Sequence, residues 1–328
     1  MPNKQKHHQS IGCEDKTPLI RWQGSDLDIF QQGETFGGHY KVTRRLGKGG
    51  MGIVYLAEDT HNNNTVAIKG PLPFVRESNS LREAYFNEVN ITRRLQHPGI
   101  VKTYDTFVIG GLPVIIMEYL QYPLAEFFTG HMRVKDSFLR RLILAMKQLA
   151  DVVDYLVLEK IVHNDLDKNN VRLDLEGRLK VIDFGIATQH QENSLAIISS
   201  KYIRGKASIL APEVVLKQRV SPFKRDVYAL GCTGILLAYN YSEHVQQEEG
   251  WRMMRKQLLR KLEFKTADSK KIHKGIADGS IIGSMLKKIE AKYPSEIMGL
   301  FKKATARQHS ERFSAGELVA ELSKMQRF

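Results

Sequence analysis

The sequence predicts an α+β chain built as two lobes: a small antiparallel β-rich lobe carrying one helix, then a larger α-helical lobe. Three observations carry this. Alternating apolar residues flank a glycine-rich turn in YKVTRRLGKGGMGIVYLAED, Tyr40 to Asp59, and period-two alternation about such a turn marks a β-hairpin. The next apolar run, TVAIKG, is rich in β-branched residues and reads as a third strand. From Asp136 onward helical periodicity dominates, interrupted only by short strands around 171–182.

Taken in order, residues 1–37 are polar with scattered charges and read as a leader that is ordered in part at most. Regular structure is expected from about Tyr40, in a domain spanning 38–328. SLREAYFNEVNITRRLQ has helical periodicity, with Leu81, Tyr85, Val89 and Leu95 among its apolar positions, and HPG ends it. VKTYDTFVIGGLPVIIMEYL returns to two strands around Gly110 and Gly111. The join between the lobes falls near 119–123, giving a small lobe over 38–118 and a large one over 119–328.

The composition excludes several classes. A hydrophobic fraction of 42% and a charged fraction of 26% are those of a globular protein, with no repeat or low-complexity run. The first residues lack the apolar segment of a signal peptide, and no stretch offers the roughly 20 apolar residues of a membrane span. Only Cys13 and Cys232 are present, which argues against a disulfide framework and for a reducing compartment, the cytoplasm by default. The net charge of +13 invites a nucleic-acid reading. No nucleic-acid motif accompanies it, so a solvated basic surface or an acidic partner accounts for it as well.

The chemistry lies in a few spaced motifs. Gly47, Gly49, Gly52 and Val54 form G-x-G-x-x-G-x-V. Followed by a strand rather than a helix, this fits a loop folded over nucleotide phosphates better than a dinucleotide fold, though a plain glycine-rich hairpin has the same pattern. Lys69 closes VAIK on the third strand, where an ammonium can bind phosphates if a carboxylate fixes it, and Glu88 on the following helix is the candidate. HNDLDKNN, His163 to Asn170, supplies Asp165 as a carboxylate able to accept a hydroxyl proton. Asn170, with Asp183 opening DFG, supplies oxygens suited to a hard cation. APE (Ala211, Pro212, Glu213), Asp226 in DVYALGC and Arg312 in ERFSAGEL follow in order, with Arg312 placed to pair with Glu213.

Together these motifs resemble the eukaryotic-type Ser/Thr protein kinases, most closely their bacterial members, over roughly 38–326. The resemblance implies a two-lobed kinase fold with ATP in the cleft and magnesium, or manganese, as the metal. It implies that Asp165 is the catalytic base and that Lys69 and Glu88 form the phosphate-binding pair. Asn170 and Asp183 hold the metal. Gly47, Gly49 and Gly52 cover the phosphates, Val54 and Ala67 pack over the adenine, and the backbone at Glu118 to Leu120, behind Met117, bonds its edge. Arg172 stands beneath the ring, where the family has an apolar residue.

Three departures matter. Asn164 replaces the Arg that in many kinases reads a phosphate on the activation segment, so activity is expected without phosphorylation at Ser194, Ser199, Ser200 or Tyr202. Asp167 occupies the position of the Lys that faces the transferred phosphate, while Lys206 stands where the family has a Thr beside that Lys. The two positions thus exchange charge, and Lys206 is expected to supply the cation, with Lys168 as competitor. A basic stretch around 252–274 lengthens the span between Asp226 and Arg312 and reads as amphipathic surface helices or as a docking site for an acidic partner.

The leading expectation is therefore an ATP-dependent enzyme phosphorylating Ser or Thr on proteins, itself included. A pseudokinase acting as a nucleotide- or partner-binding module is the alternative, supported by Asp167 and Arg172. A small-molecule phosphotransferase is a third reading, against which APE and the segment before it argue.

Overall fold

The computed structural model describes residues 29–129, 137–190, 209–244 and 269–325. The small lobe is a six-stranded antiparallel sheet in the order β1-β2-β3-β4-β6-β5. Its strands are β1 (Thr35–Phe36), β2 (Tyr40–Lys48), β3 (Gly52–Asp59), β4 (Asn64–Pro71), β5 (Thr103–Ile109) and β6 (Leu112–Glu118). Helix α1 (Asn79–Arg94) packs on it. Ser78 caps this helix by accepting from the Leu81 N–H, and the expected apolar stripe is in place, with Tyr85 and Val89 buried.

Order begins earlier than the alternation suggests. Ile29, Phe30 and Phe36 are buried in the small-lobe core, and the Ile29 N–H donates to the Tyr55 hydroxyl at 2.8 Å. Phe30 meets Tyr55 edge-on, and β1 pairs with β2. The boundary expected between 37 and 38 therefore cuts through a strap that completes the sheet and roofs its core. Three apolar residues unevenly spaced in DIFQQGETF carry no periodicity; only the tertiary contact reveals them.

The large lobe is built on α3 (Phe138–Leu158) and α5 (Arg225–His244), with α2 (Leu124–Thr129) leading in and α4 (Pro212–Val215) between them. It continues through α6 (Ser269–Ala277), α7 (Ser280–Ile289), α8 (Ser295–Ala304) and α9 (Ala315–Lys324). Ser314 and Glu317 form a capping box at the start of α9. The lobe's short strands are β7 (Tyr122–Pro123), β8 (Ile161–Val162), β9 (Val171–Leu173), β10 (Leu179–Val181) and β11 (Thr188–Gln189). β9 pairs with β7 and β10, and β8 with β11. The antiparallel β-rich lobe and helical lobe are those of the expected two-lobed kinase fold.

Glu213 and Arg312 meet in the core of the large lobe. Two parallel bonds of 2.7 Å join them, with both side chains essentially inaccessible. The guanidinium also donates to the carbonyls of Ala306 and Arg307 and lies 4.7 Å from the Tyr228 ring. Burial alone would push the Glu213 carboxyl up, but the bonds from Arg312 hold it below the usual value.

Candidate active site

The two lobes enclose a cleft of about 430 Å³. Its roof is the glycine-rich turn between β2 and β3, closed by the Gly49 N–H donating to the Gly52 carbonyl at 2.8 Å. A Cβ on Gly52 would lie 2.8 Å from the Gly70 carbonyl and 3.1 Å from the Lys69 Cε, so any side chain there displaces backbone or Lys69. Gly47, Gly49, Gly52, Val54, Ala67, Lys69 and Glu88 line the cleft from the small lobe. Met117, Glu118 and Leu120 line it at the join, and Arg172 and Asp183 from below.

Strand pairing sets Lys69 opposite Val54 on one side and Ile115 on the other, aiming its ammonium at α1. There it bonds the Glu88 carboxylate and lies 3.4 Å from Asp183 Oδ1. Burial alone would depress the Lys69 amine, but the carboxylates of Glu88 and Asp183 outweigh it and hold the amine protonated well above its ordinary value. The same charge holds the Asp183 carboxyl below the usual range. Asp183 adopts a left-handed backbone, φ 65°.

Asp165 and Asn170 form one hydrogen-bonded unit, tied by backbone to the residue before Asp183. The Asn170 Nδ2 donates to the Asp165 carboxylate at 2.7 Å and to its carbonyl at 2.8 Å. The Asn170 carbonyl accepts from the Ile182 N–H, one residue before Asp183. Buried Asp226 accepts the backbone N–H of His163 at 2.7 Å and of Asn164 at 2.9 Å, pinning the loop to α5.

The departures resolve in part. Asp167 is buried, and its carboxylate accepts from the backbone and side chain of Asn169 at 2.9 and 3.0 Å, capping the turn at 168–170. Lys168 is buried as well. Lys206 lies outside the described residues, as do Ser194, Ser199, Ser200 and Tyr202. So does the basic stretch up to residue 268; of the charge that follows it, Lys274 on α6 is exposed. Asn164, φ 62°, donates through its amide to the carbonyls of Val162 and Ile186, both at 3.2 Å, and to the Thr188 hydroxyl at 3.0 Å. A neutral amide thus ties the start of the activation segment to β8.

A protein kinase domain model matches residues 40–322, which is most of the chain. The chain belongs to the protein kinase domain family. It is 32% identical to the serine/threonine-protein kinase PrkC of Bacillus subtilis over 202 residues, covering 61% of this chain and 30% of that protein. It is 28% identical to the serine/threonine-protein kinase PAK mbt of Drosophila melanogaster over 187 residues, covering 57% of this chain and 28% of that protein. The chain therefore spans under a third of the length of these relatives.

Motif spacing misses several cleft residues of this kinase domain. Arg44, Thr92, Val101, Ile115 and Ile182 also line the cleft. Lys180 on β10 is buried and pairs with Glu118 at 2.9 Å, and that carboxylate oxygen also accepts the Lys102 N–H at 2.6 Å. A lysine in the otherwise apolar run LKVI is the signal that marks it. Asn87, beside Glu88, donates to the Ala187 carbonyl at 3.1 Å and ties α1 to the segment after DFG.

Proposed function

We propose that the protein transfers the γ-phosphoryl group of ATP to Ser or Thr hydroxyls of protein substrates. The observation that carries this is a charged Lys69 held in the cleft between Glu88 and Asp183, together with the hydrogen-bonded pair Asp165 and Asn170, whose backbone is tied to Ile182 beside Asp183. Phosphoryl transfer asks little covalent chemistry of the protein and much positioning. Lys69, fixed by Glu88, supplies a charge to the phosphates. Asp165, held by the Asn170 amide, orients the attacking hydroxyl and accepts its proton. The hinge backbone at Glu118 to Leu120 holds the adenine, beneath Val54 and Ala67.

A divalent magnesium ion fits the residues present: an ionised Asp183 and the amide oxygen of Asn170, whose nitrogen is committed to Asp165. When bound, it neutralises charge building on the phosphates. Manganese suits the same oxygens.

Ser/Thr specificity rests on the relatives' names. The exchange of charge between Asp167 and Lys206 supports Lys206 as the residue that neutralises the transferred group, an effect of about 3 kcal/mol or two orders of magnitude in rate. An acidic partner at 252–274 is supported by charge alone; its test is reversal at Lys270, Lys271 and Lys274. No helix among the described residues is long and apolar enough to cross a membrane, and a cytoplasmic site of action is proposed from the two cysteines.

Radiolabel transfer from ATP to a protein acceptor, including the chain itself, tests the reading. Asp183→Asn should abolish it while the fold persists; label transfer surviving in that variant refutes the assignment.

A further inference from the structure

We propose that His39, Asp59 and His61 form a binding site for a divalent transition-metal ion of the zinc class, on the edge of the small lobe away from the cleft. One ligand atom from each lies within 4.8 Å of the others. Two histidines and a carboxylate are the ligand types that zinc takes, with a water completing four-coordination.

The fold builds this cluster from two separate turns. FGGHY makes the β1–β2 turn, where Gly37 and Gly38 both have positive φ, 58° and 83°. That backbone brings the Gly37 carbonyl to 3.0 Å from His39 Nδ1. A carbonyl can only accept, so Nδ1 carries the hydrogen, and in the neutral ring Nε2 is the lone-pair atom. Histidine ligands are oriented in just this way, by a backbone carbonyl on the far nitrogen. Nε2 faces Asp59 Oδ1 at 3.8 Å, too long for a hydrogen bond. Two acceptors opposed at that separation leave a gap suited to a cation. Metal bonds of about 2.0–2.2 Å to each, at a tetrahedral angle, bring N and O to roughly 3.4 Å, an inward shift of a few tenths of an ångström.

The third ligand comes from the β3–β4 turn. Asp59 is buried, and its Oδ1 accepts the His61 N–H at 3.1 Å, which fixes the carboxylate. Its carbonyl accepts the N–H of Asn62 and Asn63, the latter with φ 58°, so the turn is closed by backbone bonds. The His61 ring stacks on His39 with centroids 4.1 Å apart and planes within 6°. Parallel rings set their nitrogens side by side, and tilting the exposed His61 ring converges them on one ion. Nitrogen and oxygen ligands without thiolate suit zinc, nickel or copper(II) rather than a soft ion. Binding would staple the start of β2 to the β3–β4 hairpin.

Calorimetric titration of the metal-free full chain with Zn2+ tests this, with Co2+ as a spectroscopic probe. One ion per chain and visible Co2+ absorption of tetrahedral intensity are expected. His61→Ala, at an exposed position, should weaken binding at least tenfold with an unchanged unfolding midpoint in the absence of metal. Zn2+ should raise that midpoint in the wild type and not in His61→Ala. His7 and His8 are the control: the double variant His7→Ala/His8→Ala should bind as the wild type does. Loss of binding in that double variant, equal affinity in His61→Ala, or no saturable binding by the wild type would each overturn the proposal.

Discussion

Replacing Asn164 with Ala should loosen the activation segment at its root, and the cost can be worked from the contacts. The amide has two hydrogens, so its three contacts at 3.0–3.2 Å amount to two full hydrogen bonds. At about 1 kcal/mol each, their loss costs about 2 kcal/mol. The backbone adds to this: φ is 62° at Asn164, a conformation Asn tolerates and Ala resists by about 1 kcal/mol. The sum, about 3 kcal/mol, should appear as a lower urea midpoint. Asn164→Gly separates the two contributions, because glycine accepts the backbone and lacks the amide. It should therefore fall short of wild type by roughly 2 kcal/mol only. Phosphorylation of a peptide measured in parallel should decline in both variants, since Ile186 and Thr188 belong to the segment leading to APE. An Asn164→Ala protein within about 0.5 kcal/mol of wild type, the scatter of ordinary surface changes, would refute the reasoning.

Other outcomes follow from the same geometry. Arg312→Leu should cost about 3–5 kcal/mol at neutral pH, because it strands a buried carboxylate. The pH dependence should also change sign. With Arg312 present, the depressed Glu213 contributes stability that is full above the unfolded value of about 4.3 and is lost as acid takes the pH through its lower folded value. Without the arginine, burial raises Glu213, and urea midpoints should show the deficit shrinking as the pH is lowered toward 4. Lys206→Ala should lower turnover by about two orders of magnitude with ATP affinity nearly intact, and Lys168→Ala much less; steady-state kinetics giving the reverse order would overturn the exchange. Ser194, Ser199 and Ser200 changed to Ala with Tyr202 changed to Phe should leave peptide phosphorylation active, and its loss would show that the segment needs its phosphate. Arg172→Leu should raise the unfolding midpoint, since this partly buried guanidinium has no ion-pair or hydrogen-bond partner among the described residues and burial already pushes its pKa down; a fall would show that the guanidinium stabilises the fold.

The residues that were legible in the sequence are those whose chemistry is fixed by spacing along the chain. Lys69 closes a strand, Glu88 falls on the inner face of the next helix, and Asp165, Asn170 and Asp183 sit at short intervals about a two-strand turn. Such intervals survive folding, so the cleft can be assembled from them. What stayed hidden depends on through-space partners. Ile29 and Phe30 have no periodicity to betray them, and the lysine in LKVI stands out without naming Glu118, the partner that only folding places beside it. Asp167 illustrates a third reason. The motif position marked it as facing phosphate, whereas its carboxylate also satisfies the local turn through Asn169, because a short acid beside an exposed backbone N–H caps it. Asn164 was legible as a missing charge; the three contacts that replace it were not.

Strand β10 is three residues long, yet it is stitched to the small lobe at two places. Val181 exchanges backbone bonds with Gly99 and Val101, at 2.8 and 3.0 Å, and Lys180 grips the Glu118 carboxylate at the end of β6. The loop after α1 and the last residue of the sheet therefore ride with the large lobe. Any rocking of the roof over the cleft has to take up its rotation elsewhere, in the residues of β6 just before Glu118 and at the C-terminal end of α1. Force applied to α1 by a bound protein would then act as on a lever with a fixed heel, swinging Glu88 toward or away from Lys69 while the floor beneath them keeps its place.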